Sequence, residues 1–156
     1  MITCRFENGN KANLRHVVTH ALVEKEGKLL LVKRTGDLLE SGKWSLPSGF
    51  LDRDETASQG ILRELLEETG WQCQVDKLFR INSNPNRPHE DRQNVAMEFI
   101  CKPLKKTGEP DGENSKVEWI PIDKLLPFDK FAFDHGETIR LYLKYRKSPF
   151  TLPLWK

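Results

Sequence analysis

One helix-forming stretch constrains this chain more than any other feature: Thr56 to Thr69, closed by Gly70. Ala57, Ile61, Leu62, Leu65 and Leu66 recur at helical spacing and define a face to bury. Asp54 is the expected N-cap, Glu55 follows at the positive end of the helix, and Gly70 suits a left-handed terminating residue. Gly60 breaks the pattern, because a glycine inside a helix costs about 1 kcal/mol relative to alanine. Close packing against it is the expected compensation. Glu64, Glu67 and Glu68 stand at i, i+3 and i+4, so at about 100° per residue their heads leave the helix within an arc of about 100°. Three carboxylates so placed repel one another. Water can solvate them, or a hard divalent cation can bind them through oxygen, as Mg²⁺ and Mn²⁺ do.

The flanking segments fix the class of fold that carries this helix. β-branched and aliphatic residues gather over His16 to Val23 and Leu29 to Lys33, on either side of the turn dipeptide Glu26-Gly27, and predict a hairpin. Gln74 to Ile81, Val95 to Cys101 and Val117 to Ile120 read as further strands, with a polar loop from Asn82 to Asn94 between the first two. Trp44-Ser-Leu-Pro-Ser-Gly49 reads as an ordered loop leading into the helix. Asp134 and Glu137 form an expected capping pair for a second amphipathic helix, where Ile139, Tyr142 and Leu143 keep helical spacing over Glu137 to Tyr145. Strands before, between and after two helices imply an α/β protein, an α/β/α sandwich around a mixed sheet. The 156 residues suffice for a single domain, 1–156.

Charge and composition narrow the partners. Twenty-five Lys and Arg against 23 Asp and Glu leave a formal charge of +2, with no surplus for tracking a nucleic-acid polymer. A phosphate ligand must therefore be held locally. The start of the chain has no apolar leader, and its longest aliphatic run, Leu29 to Val32, is far too short to span a bilayer, so no membrane partner and a cytoplasmic location are expected. Cys4, Cys73 and Cys101 are odd in number and widely spaced, as reduced thiols without assigned chemistry are.

Around the carboxylate helix the residues fall into a longer pattern, Gly-x5-Glu-x7-Arg-Glu-U-x-Glu-Glu-x-Gly-U. It is filled by Gly49, Glu55, Arg63, Glu64, Glu67, Glu68 and Gly70, with Leu65 and Trp71 at the apolar U positions. At about 6% frequency each, these residues would coincide by accident on the order of once in a million sequences. Here the chain resembles the Nudix hydrolases. The resemblance implies that Gly49, Glu64, Glu67 and Glu68 are metal ligands, that Arg63 orients them, and that Glu55 supports them from behind. It implies a Mg²⁺ cofactor, with Mn²⁺ as a substitute, and Glu67 or Glu68 as the group that activates water. Glu113, five residues before Glu118-Trp119, matches a distal loop glutamate of the family that supplies a further ligand or the base; Glu98 is its competitor. Ser48 and Gly60 depart from the family habit of Gly and Ala, and neither is a ligand position.

Substrate choice rests on the loops. Pro85 and Pro88 lie 14 and 17 residues beyond Trp71 and bracket the proline, about sixteen residues past the motif, of ADP-ribose pyrophosphatases. The resemblance therefore implies a small nucleotide substrate, a nucleoside diphosphate linked to another moiety, with ADP-ribose or a nucleotide sugar favoured. A nucleoside triphosphate pyrophosphohydrolase of the pool-cleaning type is the alternative enzyme. A nucleotide-sensing module without turnover is the alternative of another class. Arg87 and Arg92 are expected to hold phosphate or ribose phosphate, and Trp44, Phe131 and Phe133 to stack on a base. His135 is read as a packing or capping residue at the second helix start. A homodimer is compatible with the family.

Overall fold

The computed structural model describes residues 2–36, 38–89 and 92–156. A short antiparallel pair, β1 (Ile2–Arg5) and β2 (Lys11–Leu14), precedes the main body and was not evident in the apolar pattern. Next come β3 (Val17–Lys25) and β4 (Lys28–Arg34), joined at Glu26 and Gly27, both with positive φ. Those paired left-handed residues are what a two-residue hairpin turn needs, as the sequence predicts. β5 (Trp44–Ser45) and β6 (Ser48–Phe50) lie where an ordered loop was expected, and lead to α1 (Ala57–Thr69). β7 (Trp71–Asn82), β8 (Val95–Lys106) and β9 (Asn114–Pro121) follow, each longer than its apolar core alone predicts. Two single-turn 3-10 segments precede α2 (His135–Lys147), and β10 (Leu154–Trp155) closes the chain.

Among the described residues the strands after β2 form one eight-stranded mixed sheet, parallel where β3 meets β8 and where β10 meets β7, and antiparallel elsewhere. β3 changes neighbour along one edge: β6 pairs with Val18 to His20, and β4 with Glu24 and Lys25. The edge opens between them, and Pro47, just before β6, enters there with its carbonyl accepting from the Ala21 amide at 3.0 Å. Alternation along β3 sorts the core onto two faces. Leu22 joins Leu29, Leu31, Leu46, Phe79, Phe131, Ile139 and Tyr142 beneath α2, whereas Ala21 and Val23 join Leu30, Phe99, Ile61 and Leu65 beneath α1. One helix covers each face, so the expected α/β/α sandwich is the observed fold. No helix among the described residues is long and apolar enough to cross a membrane.

The helix starts differ from their expected chemistry. α1 is capped by Thr56, not Asp54: Thr56 Oγ1 accepts from the Gln59 amide while the Gln59 side chain accepts from the Thr56 amide. Gly70 ends the helix at φ 71° as expected, and a Cβ there would meet the Gly108 carbonyl oxygen at 2.1 Å. Gly60 is tightly packed as predicted, since a Cβ would lie 2.8 Å from a Glu55 carboxylate oxygen. α2 begins at His135, two residues before the apolar spacing, with Asp134 at the expected N-cap position, but the Asp134 side chain makes no capping hydrogen bond. Its carboxylate is engaged elsewhere.

Candidate active site

A cavity of about 500 Å³ opens where β6, α1, the loop before β9 and the start of α2 converge. From α1 it receives Arg63, Glu64, Glu67 and Glu68, from β6 Ser48, Gly49 and Phe50, and from the loop before β9 Asp111 and Glu113. That loop is tied to the end of α1, because the amides of Thr107 and Gly108 donate to the Gly70 carbonyl and the Asp111 amide to that of Glu67. Backbone ties to Gly70 and Glu67 thus bring Glu113 to the cavity that the helix carboxylates line.

Arg63 organises the acidic side. Its Nη2 donates to Glu55 Oε1 at 2.7 Å and to the Phe50 carbonyl at 3.1 Å, its Nε to Glu55 Oε2 at 3.1 Å, and its Nη1 to Glu64 at 2.8 Å and Glu67 at 3.0 Å. The Glu55 hydrogen bonds raise Arg63 further above its ordinary value, and Arg63 in turn lowers Glu55. Glu55 thus lies behind the arginine, while Glu67 remains half exposed to the cavity. Glu64 rests on Gly49: a Cβ at position 49 would fall 2.0 Å from its carboxyl carbon, so only glycine leaves room for the carboxylate. Burial raises the Glu64 carboxyl.

Glu68 behaves differently from its two neighbours. It is 6% exposed, with one oxygen accepting from the Ser48 amide at 2.8 Å and the other from Asn114 Nδ2 at 3.1 Å. Burial pushes its carboxyl up to about 8. With Arg63 drawing Glu64 and Glu67 together and Ser48 and Asn114 holding Glu68, no three acidic, His or Cys side chains among the described residues stand grouped as a ready chelate. The donor chemistry nevertheless suits a hard cation. Asp52, Glu64, Glu67, Glu68, Asp111 and Glu113 all line the cavity, and every one of them offers oxygen.

The α2 side carries a second group of charges. Arg87 lines the cavity and is buried, its Nε and Nη2 donating to Asp134 Oδ1 at 3.1 and 2.7 Å. Arg92 lines the cavity with its guanidinium over the Phe50 ring, 5.4 Å from the centroid. Arg34, on β4, lines it too, 5.2 Å over the ring of Phe133. His135 is the first residue of α2, and its Nδ1 accepts from the Leu46 amide at 3.0 Å, which leaves the hydrogen on Nε2. Burial drives it down to about 3, so the ring is neutral.

Two of the sequence-predicted base-stacking residues lie elsewhere. Phe131 is 2% exposed in the core beneath α2, and Trp44 packs partly buried against the same cluster. The third, Phe133, lines the cavity two residues beyond Phe131; strand alternation would put both on one face, but Phe133 adopts φ 49° and the alternation does not hold there. A positive φ in a large residue is uncommon and is not legible in composition. Glu98, the competitor of Glu113, is fully buried, paired with Arg80, and absent from the cavity lining. Arg34, His20 and Asp111 were not anticipated as lining residues; only their positions after folding reveal them.

Comparison with known proteins places the same span in one family. The NUDIX domain model matches residues 13–142. A MutT-like protein of Streptomyces ambofaciens is 34% identical over 108 residues, which make up 69% of this chain and 64% of that protein. The chain thus spans somewhat under two thirds of that relative's length. The ADP-ribose pyrophosphatase of Methanocaldococcus jannaschii is 28% identical over 132 residues, 85% of this chain and 75% of that protein. The crystal structure of a NUDIX hydrolase from Nitrosomonas europaea matches with a TM-score of 0.78 at 26% identity, covering 99% of this chain and 92% of that one. With Gly49, the carboxylate helix and strands β3 to β9 all inside the matched span, the chain belongs to the Nudix hydrolase family.

Proposed function

We propose that the chain, as one domain over residues 1–156, hydrolyses the diphosphate bond of a nucleoside diphosphate linked to another moiety, with ADP-ribose or a nucleotide sugar as substrate and Mg²⁺ as cofactor. One observation carries this reading: a single cavity combines six oxygen-donor acids with guanidinium groups from Arg34, Arg87 and Arg92. That combination suits a ligand whose diphosphate needs a cation and whose remainder needs hydrogen-bond donors. The similarity to an ADP-ribose pyrophosphatase over 85% of the chain supports the substrate class.

Glu64, Glu67 and Glu68, with the Gly49 carbonyl, would hold the metal, and Mn²⁺ would substitute. When bound, such a cation neutralises phosphate oxygens and acidifies water. Arg63 keeps Glu64 and Glu67 on the cavity side of the helix, and Glu55 fixes Arg63. Glu67 and Glu113 are both exposed and line the cavity, and either would take the proton from an attacking water. Glu68, accepting two hydrogen bonds already, holds its place against β6 and β9.

A substrate panel with Mg²⁺ tests the proposal. Release of AMP from ADP-ribose, or of the nucleoside monophosphate from a nucleotide sugar, is expected. Intact ADP-ribose and nucleotide sugars, with pyrophosphate released from triphosphates, would replace it by the pool-cleaning reading.

A further inference from the structure

A fully buried polar row lies outside the acidic side of the cavity. Register places Arg80 of β7 opposite Glu98 of β8, and Glu98 beside His20 of β3, so three polar side chains cross the sheet in one row. They are 1%, 0% and 3% exposed. Asp134 closes the row from the start of α2: Oδ1 accepts from Arg87, and Oδ2 accepts from Asn82 at 2.5 Å and lies 3.5 Å from Arg80. Burial works to raise the Asp134 carboxyl, but the groups facing it, Arg87 first and then His135 and Arg80, together hold it below the usual range.

Burying two guanidiniums and two carboxyl groups is costly, and packed apolar residues would stabilise such a layer at least as well. The row has another consequence. It fixes Arg87 with Nε and Nη2 on Asp134, whereas Arg87 Nη1 is buried without a hydrogen-bond partner among the described residues. Arg87 lines the cavity. Asp134 stands at a helix N-cap position and does not cap, so its place there is explained by Arg87, Arg80 and Asn82 rather than by the helix.

We propose that Asp134 is a positioning residue that holds Arg87 so that its Nη1 donates to a neutral oxygen of the substrate, a sugar hydroxyl or a base carbonyl, away from the diphosphate. This deepens the functional reading above and rests on it. The neutral acceptor follows from the charges: Asp134 stands against Arg87 and Glu98 against Arg80, at 2.7 and 3.6 Å, so the row offers a fixed donor and little net charge. An unpartnered buried donor is satisfied by an incoming acceptor, and a ligand lacking that acceptor is rejected.

The test is a double-mutant cycle on the full chain with the substrate that the panel identifies, read as kcat and KM with saturating Mg²⁺ alongside Tm. Arg87→Lys is expected to raise KM tenfold or more and to keep kcat within about threefold. Asp134→Asn is expected to raise KM several-fold in the wild-type background and less than twofold in the Arg87→Lys background, even where Tm falls further. Equal KM effects in both backgrounds, or an unchanged KM for Arg87→Lys, would overturn the proposal. A second measurement needs no turnover: AMP, ribose 5-phosphate and inorganic phosphate are titrated separately by calorimetry in EDTA. Arg87→Lys, which keeps the charge facing Asp134, is expected to weaken AMP or ribose 5-phosphate tenfold and to leave phosphate unchanged. Loss in neither organic ligand, or an equal loss for phosphate, contradicts it, whereas a panel without turnover tells against the functional reading alone.

Discussion

The two helices begin in opposite ways. α1 starts on a local device, the reciprocal hydrogen bonds of Thr56 and Gln59, and its carboxylates follow at fixed angles along the same element. α2 starts on Asp134, which makes no capping bond and instead reaches Arg80, Asn82 and Arg87, residues 47 to 54 positions away in sequence. A helix whose start is settled locally can present reactive side chains without help from distant strands. A helix whose start is tied to distant groups serves to hold those groups. The first arrangement suits metal binding and attack, and the second suits recognition.

Removing each start should cost different amounts for different reasons. Asp134→Ala leaves buried guanidiniums without their carboxylate and is expected to destabilise by about 3 to 5 kcal/mol in chemical denaturation. A loss near that of an ordinary surface residue would show that the row is solvated in solution. The pH dependence separates the starts next. His135 is pushed down to about 3 by burial, against about 6.5 in the unfolded chain, with His20, Asp134, Arg87, Arg34 and Arg80 facing it. Between those values the unfolded chain binds a proton that the folded chain does not, so this group makes stability rise with pH, by up to about 1.4 kcal/mol per pH unit. Burial raises Glu98 to about 7, which opposes that rise above its unfolded value. His135→Gln, which keeps an acceptor for the Leu46 amide, should flatten the slope between pH 4 and 6 by about one proton; an unchanged slope would mean that the ring titrates normally. Thr56→Ala is the mildest change, expected to cost about 1 kcal/mol without altering KM. A change in KM there would show that the cap of α1 also positions the cavity.

The same contrast explains how much could be read from the chain. α1, its face of glutamates and the termination at Gly70 were legible because each depends on residues a few positions apart. The tight packing around Gly60 followed from an energetic oddity in the sequence alone. What could not be read depends on register. Arg80, Glu98 and His20 are neighbours only because β7, β8 and β3 pair at those positions. Phe133 lines the cavity and Phe131 the core although the two stand two residues apart, with Phe133 at a positive φ, and Asp134 resembles a cap until its partners are known. Local spacing therefore gave the acidic side of the site, and tertiary pairing determined the side with arginines.

The division between attack and recognition is tested most directly by steady-state kinetics of Glu67→Gln and Arg87→Lys side by side, on one substrate with saturating Mg²⁺. Glu67→Gln should lower kcat about a thousandfold with little change in KM, the scale expected for a lost base or metal ligand. Arg87→Lys should raise KM and leave kcat within about threefold. Both variants moving the same parameter, or Glu67→Gln retaining wild-type kcat, would contradict the account.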